Sequence, residues 1–271
     1  MLGSEIMIPM YVVDAFTDEL FTGNPAAVCL VKKWPREKLM MNIAKENRFS
    51  ETAFAIRRDA NHYDLRWFTP GGEIDLCGHA TLATAFVIFR EAAPVDSDTI
   101  IFQTKESGQL AVTKKGDRYE MAFPSYDLKS VPVTVAMTAA FGAQPREAYL
   151  GRDLLCVFDD PETVIKMNPD QTKLAQLPGL LQNVTAQGQK YDCVSRSFAP
   201  KLAVAEDPVC GSGHCHIIPY WAHQLGKNEL VAYQASARSG VLYCTYAGKT
   251  TKLAGKAVLY SAGQLNLSEK S

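Results

Sequence analysis

Arg66-Trp67-Phe68-Thr69-Pro70, followed by Cys77-Gly78-His79-Ala80 and an apolar stretch, returns later in the chain. The second copy is Arg196-Ser197-Phe198-Ala199-Pro200, followed by Cys210-Gly211-Ser212-Gly213 and another apolar stretch. The two Arg-x-Phe-[Thr/Ala]-Pro segments lie 130 residues apart (66 to 196) and the two Cys-Gly pairs 133 (77 to 210), about half of a 271-residue chain. Solenoid repeats have periods of roughly 20–50 residues, so this offset reads as a duplicated domain. One short match arises easily by chance; two in the same order at nearly the same offset do not.

The stretches behind the Cys-Gly pairs are unusual. Thr81–Phe89 carries no charge before Arg90, and Cys215–Ala222 is uncharged apart from a histidine. A helix apolar all round is a buried helix. Around them the sequence reads as short strands, β-branched or aromatic and bounded by Gly, Pro, Asn or Asp. These cover 10–16, 26–31, 52–56, 64–68, 99–104, 109–113 and 119–123 in the first half. In the second they cover 154–158, 183–186, 191–197, 231–237, 241–246 and 257–261. Leu39, Ile43 and Ala44 give 38–47 a helical spacing, and 160–167 and 171–176 read as short helices. Strands outnumber helices without alternating regularly with them, which indicates α+β rather than a doubly wound sheet. The expected architecture is two pseudo-symmetric halves, 7–127 and 132–266, each a strand-rich, barrel-like sheet around a central apolar helix.

Composition narrows the function classes. With 28 basic against 29 acidic residues the net charge is −1, and no basic stripe stands out that would neutralise phosphates, so no nucleic-acid partner is expected. No apolar run approaches the roughly 20 residues of a membrane span. The first ten residues lack the marks of a secretion signal, so a cytoplasmic protein is expected. Seven cysteines, an odd number at low density, read as free thiols.

Each helix following a Cys-Gly pair starts with unpaired backbone N–H groups and the positive end of its dipole. Gly78, Gly211 and Gly213 let another group approach that backbone closely. Two such starts facing one cleft would clamp a ligand carboxylate. The plainer reading is that these glycines only allow tight packing.

Several motifs in sequence order resemble the phenazine biosynthesis (PhzF-like) isomerase family. They are Asp14-Ala15-Phe16, Gly23-Asn24-Pro25-Ala26, Asn47-Arg48-Phe49-Ser50-Glu51-Thr52-Ala53-Phe54, the first repeat motif, and Glu206-Asp207-Pro208-Val209-Cys210-Gly211-Ser212-Gly213. The resemblance runs from residue 14 to 216. It implies two diaminopimelate-epimerase-like halves with an active site at the interdomain cleft, a homodimer, a small carboxylate-bearing substrate and no cofactor. Carried over residue by residue, it implies that Glu51 is the catalytic acid/base and that His79 and Asp207 assist it. Gly78 and Ser212, with Gly211 and Gly213 beside them, fall at substrate-binding positions. The chemistry is coherent: a carboxylate can remove a proton from an acidic carbon and return it to another carbon of the same molecule. Each residue also has a plainer role, Glu51 as a solvated charge, His79 as a core histidine, Asp207 as a helix cap.

Cys77 and Cys210 open a second reading. In diaminopimelate epimerase and proline racemase a thiol–thiolate pair occupies these helix starts, so a two-cysteine amino-acid racemase or epimerase is an alternative. Helix starts favour thiolates, yet free cysteines also serve as small buried hydrophobes. A non-catalytic small-molecule binding protein is a third reading, against which Glu51 argues. Cys210, His214, Cys215 and His216 have the composition of metal ligands, but on a helix residues 214, 215 and 216 point roughly 100° apart. No metal is expected.

Overall fold

The computed structural model describes residues 6–91 and 97–267. They fall into two compact units. One runs up to Met121 and takes in the chain again from Gly255; the other is Ala122–Ala254.

The first unit contains β1 (Ile6–Ala15), β2 (Asn24–Leu30), α1 (Glu37–Asn47), β3 (Glu51–Arg57), β4 (His62–Thr69), β5 (Gly72–Ile74), α2 (Gly78–Glu91), β6 (Thr99–Gln103), β7 (Gln109–Lys115) and β8 (Arg118–Pro124). The second follows with β9 (Lys129–Val131), α3 (Val135–Phe141), β10 (Glu147–Leu150), β11 (Leu154–Val157), α4 (Pro161–Ile165), α5 (Gln171–Leu174), β12 (Gln182–Gln187), β13 (Cys193–Ala199), β14 (Val204–Asp207), α6 (Gly211–Leu225), β15 (Glu229–Gln234), β16 (Gly240–Ala247) and β17 (Thr250–Gly255). The last strand, β18 (Ala257–Leu267), pairs antiparallel with β1 over its length, with one register shift at Val12/Val13.

The duplication read from the two motifs extends to the strand order. In the first unit β18, β1 and β2 are antiparallel, β2 and β3 parallel, β3 and β4 antiparallel, β4 and β6 parallel, and β6, β7 and β8 antiparallel. β9, β10, β11, β12, β13, β15, β16 and β17 repeat that sequence of directions step for step. In each unit a short strand, β5 or β14, adds to the side of β4 or β13 and leads to the Cys-Gly pair. The α+β class and the pair of like halves are therefore as the sequence indicates.

The repeated arginine has a structural reason. Arg66 Nε and Nη2 donate to the two carboxylate oxygens of Glu73 at 2.6 and 2.7 Å. Arg196 meets Glu206 in the same way at 2.7 and 2.8 Å. Each guanidinium also lies over the phenylalanine two residues on, Phe68 at 5.2 Å and Phe198 at 5.1 Å. A bidentate fork fixes orientation as well as distance, so each clamp holds the hairpin that delivers a Cys-Gly pair to its helix.

α2 packs against β1, β2, β3, β7 and β18, and every residue from His79 to Ile88 is buried. α6 packs on β12, β13, β15 and β16, with the ten residues Gly213–Ala222 buried. On the other face of the first sheet, Leu39, Met40, Ile43 and Ala44 of α1 meet Cys29, Phe54, Ile56 and Phe68. On the other face of the second, Met137 and Phe141 of α3, Val164 of α4 and Leu174 of α5 join Cys156, Phe158 and Phe198. Among the described residues no helix is long and apolar enough to cross a membrane.

Two expectations are revised. The halves expected at 7–127 and 132–266 assign the last strand to the second, whereas β18 belongs with β1, and the changeover lies at 121/122. Periodicity identifies a strand, not its partner, and β1 needs a neighbour on its second edge. A further helix, α3, lies at Val135–Phe141 where none was expected; Thr134 accepts from Met137 N at its start, Gly142 (φ 73°) ends it, and Met137, Ala140 and Phe141 are its buried residues.

Because α2 is the centre of its unit, shortening Leu82, which is fully buried, leaves a cavity that the wrapped sheet cannot close. Leu82→Ala is expected to lower stability by about 3 kcal/mol, measured by urea unfolding.

Candidate active site

Three candidate residues meet in the first unit. Glu51 opens β3 in parallel register with Ala26 of β2, next to a turn in which Arg48 takes a left-handed conformation (φ 56°). Its carboxylate Oε2 lies 3.0 Å from His79 Nε2 in the first turn of α2. On the other side of the ring, Cys77 Sγ lies 3.5 Å from His79 Nδ1. The imidazole thus touches both a thiol and a carboxylate. Cys77 is 6% and His79 8% exposed.

Glu51 Oε2 and His79 Nε2 are both buried and are each other's ion-pair partner at 3.0 Å. Burial alone would lower the pKa of His79; Cys77 and Glu51, at its two nitrogens, outweigh it and raise the value well above that of an ordinary histidine. Burial raises the Cys77 thiol, and the charge of Glu51 adds to it.

In the second unit Asp207 ends β14 and is half-buried. Its carbonyl accepts from Gln234 Nε2 at 2.6 Å, while Gln234 Oε1 accepts from the backbone N–H of Cys210 at 2.8 Å. One glutamine side chain, which carried no sequence signal, clips both ends of the Asp207–Cys210 loop. Each cysteine caps its helix: Cys210 Sγ accepts from Gly213 N at 3.3 Å, and Cys77 Sγ from Ala80 N. The hydroxyl of Ser212 sits 3.5 Å from Cys210 Sγ and accepts from Arg152 Nη2 at 2.9 Å. Burial, then the charge of Asp207, hold the Cys210 thiol well above its usual range.

The glycines divide. A Cβ on Gly213 would come within 2.6 Å of Asn183 Oδ1 and 2.9 Å of Ser197 Oγ, so this glycine lets α6 close on β12 and β13. On Gly211 the nearest atom would be Leu253 Cδ1 at 3.6 Å, an ordinary contact, so packing does not require glycine there. The histidines of α6 are occupied. His214 Nδ1 meets Cys210 O at 2.7 Å and Nε2 meets Ser195 Oγ at 3.2 Å; burial pushes its pKa down to about 4. His216 accepts from Asp153 N at 3.2 Å through Nε2, places Nδ1 3.2 Å from Ser212 O and stacks on Tyr126. In the first unit, ligand atoms of Glu51, Cys77 and His79 lie within 4.8 Å of one another.

The matching strand orders place Gln182, first in β12, where the first unit has Glu51, and Ser212 where it has His79. The titratable pair therefore occurs once, while the cysteine at the helix start occurs twice. The second unit adds a cluster that sequence motifs do not reveal. Asp153, fully buried, accepts from Arg152 Nε at 2.9 Å and Nη2 at 2.6 Å and from Leu181 N at 3.3 Å. Arg152 also lies over Tyr126, 5.0 Å from the ring centre.

Two outcomes follow from this geometry. Asp153→Ala strands a partly buried guanidinium beside Ser212 and is expected to cost about 3 kcal/mol, read by denaturant unfolding. The raised pKa of His79 means that the folded state holds its proton more tightly than the unfolded chain does. The resulting stabilisation is complete below the unfolded value of about 6.5 and disappears as pH rises through the higher folded value. The stability gap between wild type and His79→Gln should therefore narrow towards alkaline pH, measured by unfolding at a series of pH values.

The family model for phenazine biosynthesis-like proteins (PhzC-PhzF) matches residues 13–263. An uncharacterized isomerase of Pseudomonas aeruginosa is 43% identical over 260 residues, covering 96% of this chain and 99% of its own. The crystal structure of a PhzF-family protein from Enterococcus faecalis superposes with a TM-score of 0.94 at 48% identity, covering 97% of this chain and all of that one. A hydroxyproline epimerase from Agrobacterium vitis shares the fold alone, with a TM-score of 0.61 at 9% identity, over 97% of this chain and 93% of that one.

Proposed function

The chain belongs to the phenazine biosynthesis-like family, and we propose that it is a cofactor-independent isomerase that moves a proton within a small carboxylate-bearing substrate, with Glu51 as the acid/base. The observation that carries this reading is the buried ion pair of Glu51 Oε2 and His79 Nε2, 3.0 Å apart. The isomerase named among the relatives supports the reaction class.

In this reading the Glu51 carboxylate takes a proton from a carbon made acidic by a neighbouring carboxyl or conjugated group. Negative charge then spreads onto the substrate. His79, whose contacts favour its protonated form, sets an N–H beside the reacting carboxylate and stabilises that charge. Glu51, now protonated, returns the proton to a different carbon. Proton transfer by one positioned group typically contributes 10²–10⁴-fold. Asp207, Gly78, Gly211 and Ser212 serve as the assisting and substrate-contacting positions that the family resemblance implies.

The two-cysteine racemase reading rests on Cys77 and Cys210 at equivalent helix starts. Both thiols are buried and raised, Cys210 further by Asp207, which favours the neutral thiol over the thiolate such a reaction needs.

Proton exchange separates the two. Wild type, Glu51→Gln and Cys77→Ser/Cys210→Ser proteins are incubated in D₂O with a panel of small carboxylic and amino acids, and deuterium incorporation is read by mass spectrometry and NMR. Glu51→Gln is expected to reduce exchange by about a hundredfold or more, while the double cysteine variant retains it. Exchange of an amino-acid α-proton that disappears with the cysteines instead would establish the racemase.

A further inference from the structure

Composition points to α6, with Cys210, His214, Cys215 and His216, as the place for a metal ion. Yet each ring nitrogen of His214 and of His216 already faces a protein atom. The side chains that do converge are in the first unit. Ligand atoms of Glu51, Cys77 and His79 all lie within 4.8 Å of one another, the one such group of three or more among the described residues. Two separations are shorter still, 3.0 Å from Glu51 Oε2 to His79 Nε2 and 3.5 Å from Cys77 Sγ to His79 Nδ1. Glu51 opens β3, Cys77 precedes α2 and His79 is in its first turn, so three separate backbone positions supply the donors.

We propose that Glu51, Cys77 and His79 form a binding site for a divalent ion of the zinc type, held by one carboxylate oxygen, one thiolate and one imidazole nitrogen, with a fourth position left to water.

Sulfur, imidazole nitrogen and carboxylate oxygen are the donors that zinc takes from proteins, and three of them with an open fourth position is a common coordination. A thiolate and an imidazole together disfavour magnesium and calcium, which prefer oxygen throughout. Bonds of about 2.0–2.3 Å place neighbouring donors of a tetrahedral ion roughly 3.3–3.6 Å apart. The three donors therefore have to draw in by about an ångström at most. Charge also matches: a thiolate and a carboxylate together offset a divalent cation, so the buried site stays neutral overall, as a low-dielectric setting demands. An ion takes the proton from a coordinating thiol outright. That proton, and one from His79 where the ring is charged, pass to solvent, and no other bond changes. The N–H of Ala80 donates to the sulfur and supports it from outside the coordination shell. Glu51 is the most exposed of the three, with 15% of its side chain accessible, so an entering ion meets the carboxylate first.

The second unit serves as a control. Its helix start has a cysteine with the same sulfur cap and similar burial, but Ser212 and Gln182 stand where the first unit has His79 and Glu51. One thiol without the imidazole and carboxylate makes no such site. On the isomerase reading, an ion at Glu51 also occupies the acid/base, so the metal-bound form should be silent in proton exchange.

The test titrates Co²⁺, a spectroscopic stand-in for Zn²⁺, into the intact, reduced, chelator-treated chain. One equivalent per chain is expected to bind, with a thiolate-to-cobalt charge-transfer band and the strong visible bands of a tetrahedral ion, both removed by added Zn²⁺. X-ray absorption on the zinc-loaded wild type should show one sulfur with nitrogen and oxygen ligands, a result that does not depend on a variant folding. Cys77→Ser should lose the charge-transfer band and Cys210→Ser should keep it. Glu51→Gln and His79→Gln should each weaken binding by about tenfold or more. A spectrum without the thiolate band, a band that survives Cys77→Ser, or two or more sulfurs around the ion would overturn the proposal. These readouts need no isomerisation substrate, so their failure leaves the proton-exchange reading standing. Exchange undiminished in the zinc-loaded chain would count against Glu51 as the acid/base and not against the site.

Discussion

Burial of an uncharged helix is the constraint on which the rest of each unit depends. α2 has no polar face to present to water, so strands must cover it on all sides. Each buried side chain of Leu, Ile, Val or Phe size contributes roughly 1.5–3 kcal/mol, and the helix supplies several. A helix enclosed in this way exposes little but its ends. Its first turn, with backbone donors that the helix cannot satisfy, becomes the place where polar chemistry collects.

The hairpin before each helix converts that constraint into geometry. Arg66 and Glu73, and again Arg196 and Glu206, hold the short strand that precedes a Cys-Gly pair. With the hairpin fixed, the sulfur caps the helix. In the first unit the second residue after it, His79, meets Glu51 at the start of β3; in the second the corresponding positions hold Ser212 and Gln182, which do not titrate near neutrality. One scaffold, used twice, holds a buried carboxylate–imidazole pair in one copy and Ser212 beside the Arg152–Asp153 ion pair in the other. That asymmetry favours a single acid/base over a symmetric pair of thiols.

Much of this was legible in the chain. The repeated motifs, their half-chain offset and the two uncharged stretches fixed a duplicated α+β fold with a buried helix in each copy, since an apolar run without a polar face has no other stable place. The family resemblance pointed to Glu51 and His79 but not to their contact, because 28 positions separate them (51 to 79) and only the packing of α2 against β3 brings them together. The partner of the last strand, the packing role of Gly213, the clip formed by Gln234 and the cluster around Asp153 were decided by tertiary structure alone. Pairing, close approach and burial are relations between distant residues, whereas sequence periodicity records only which face of an element is apolar.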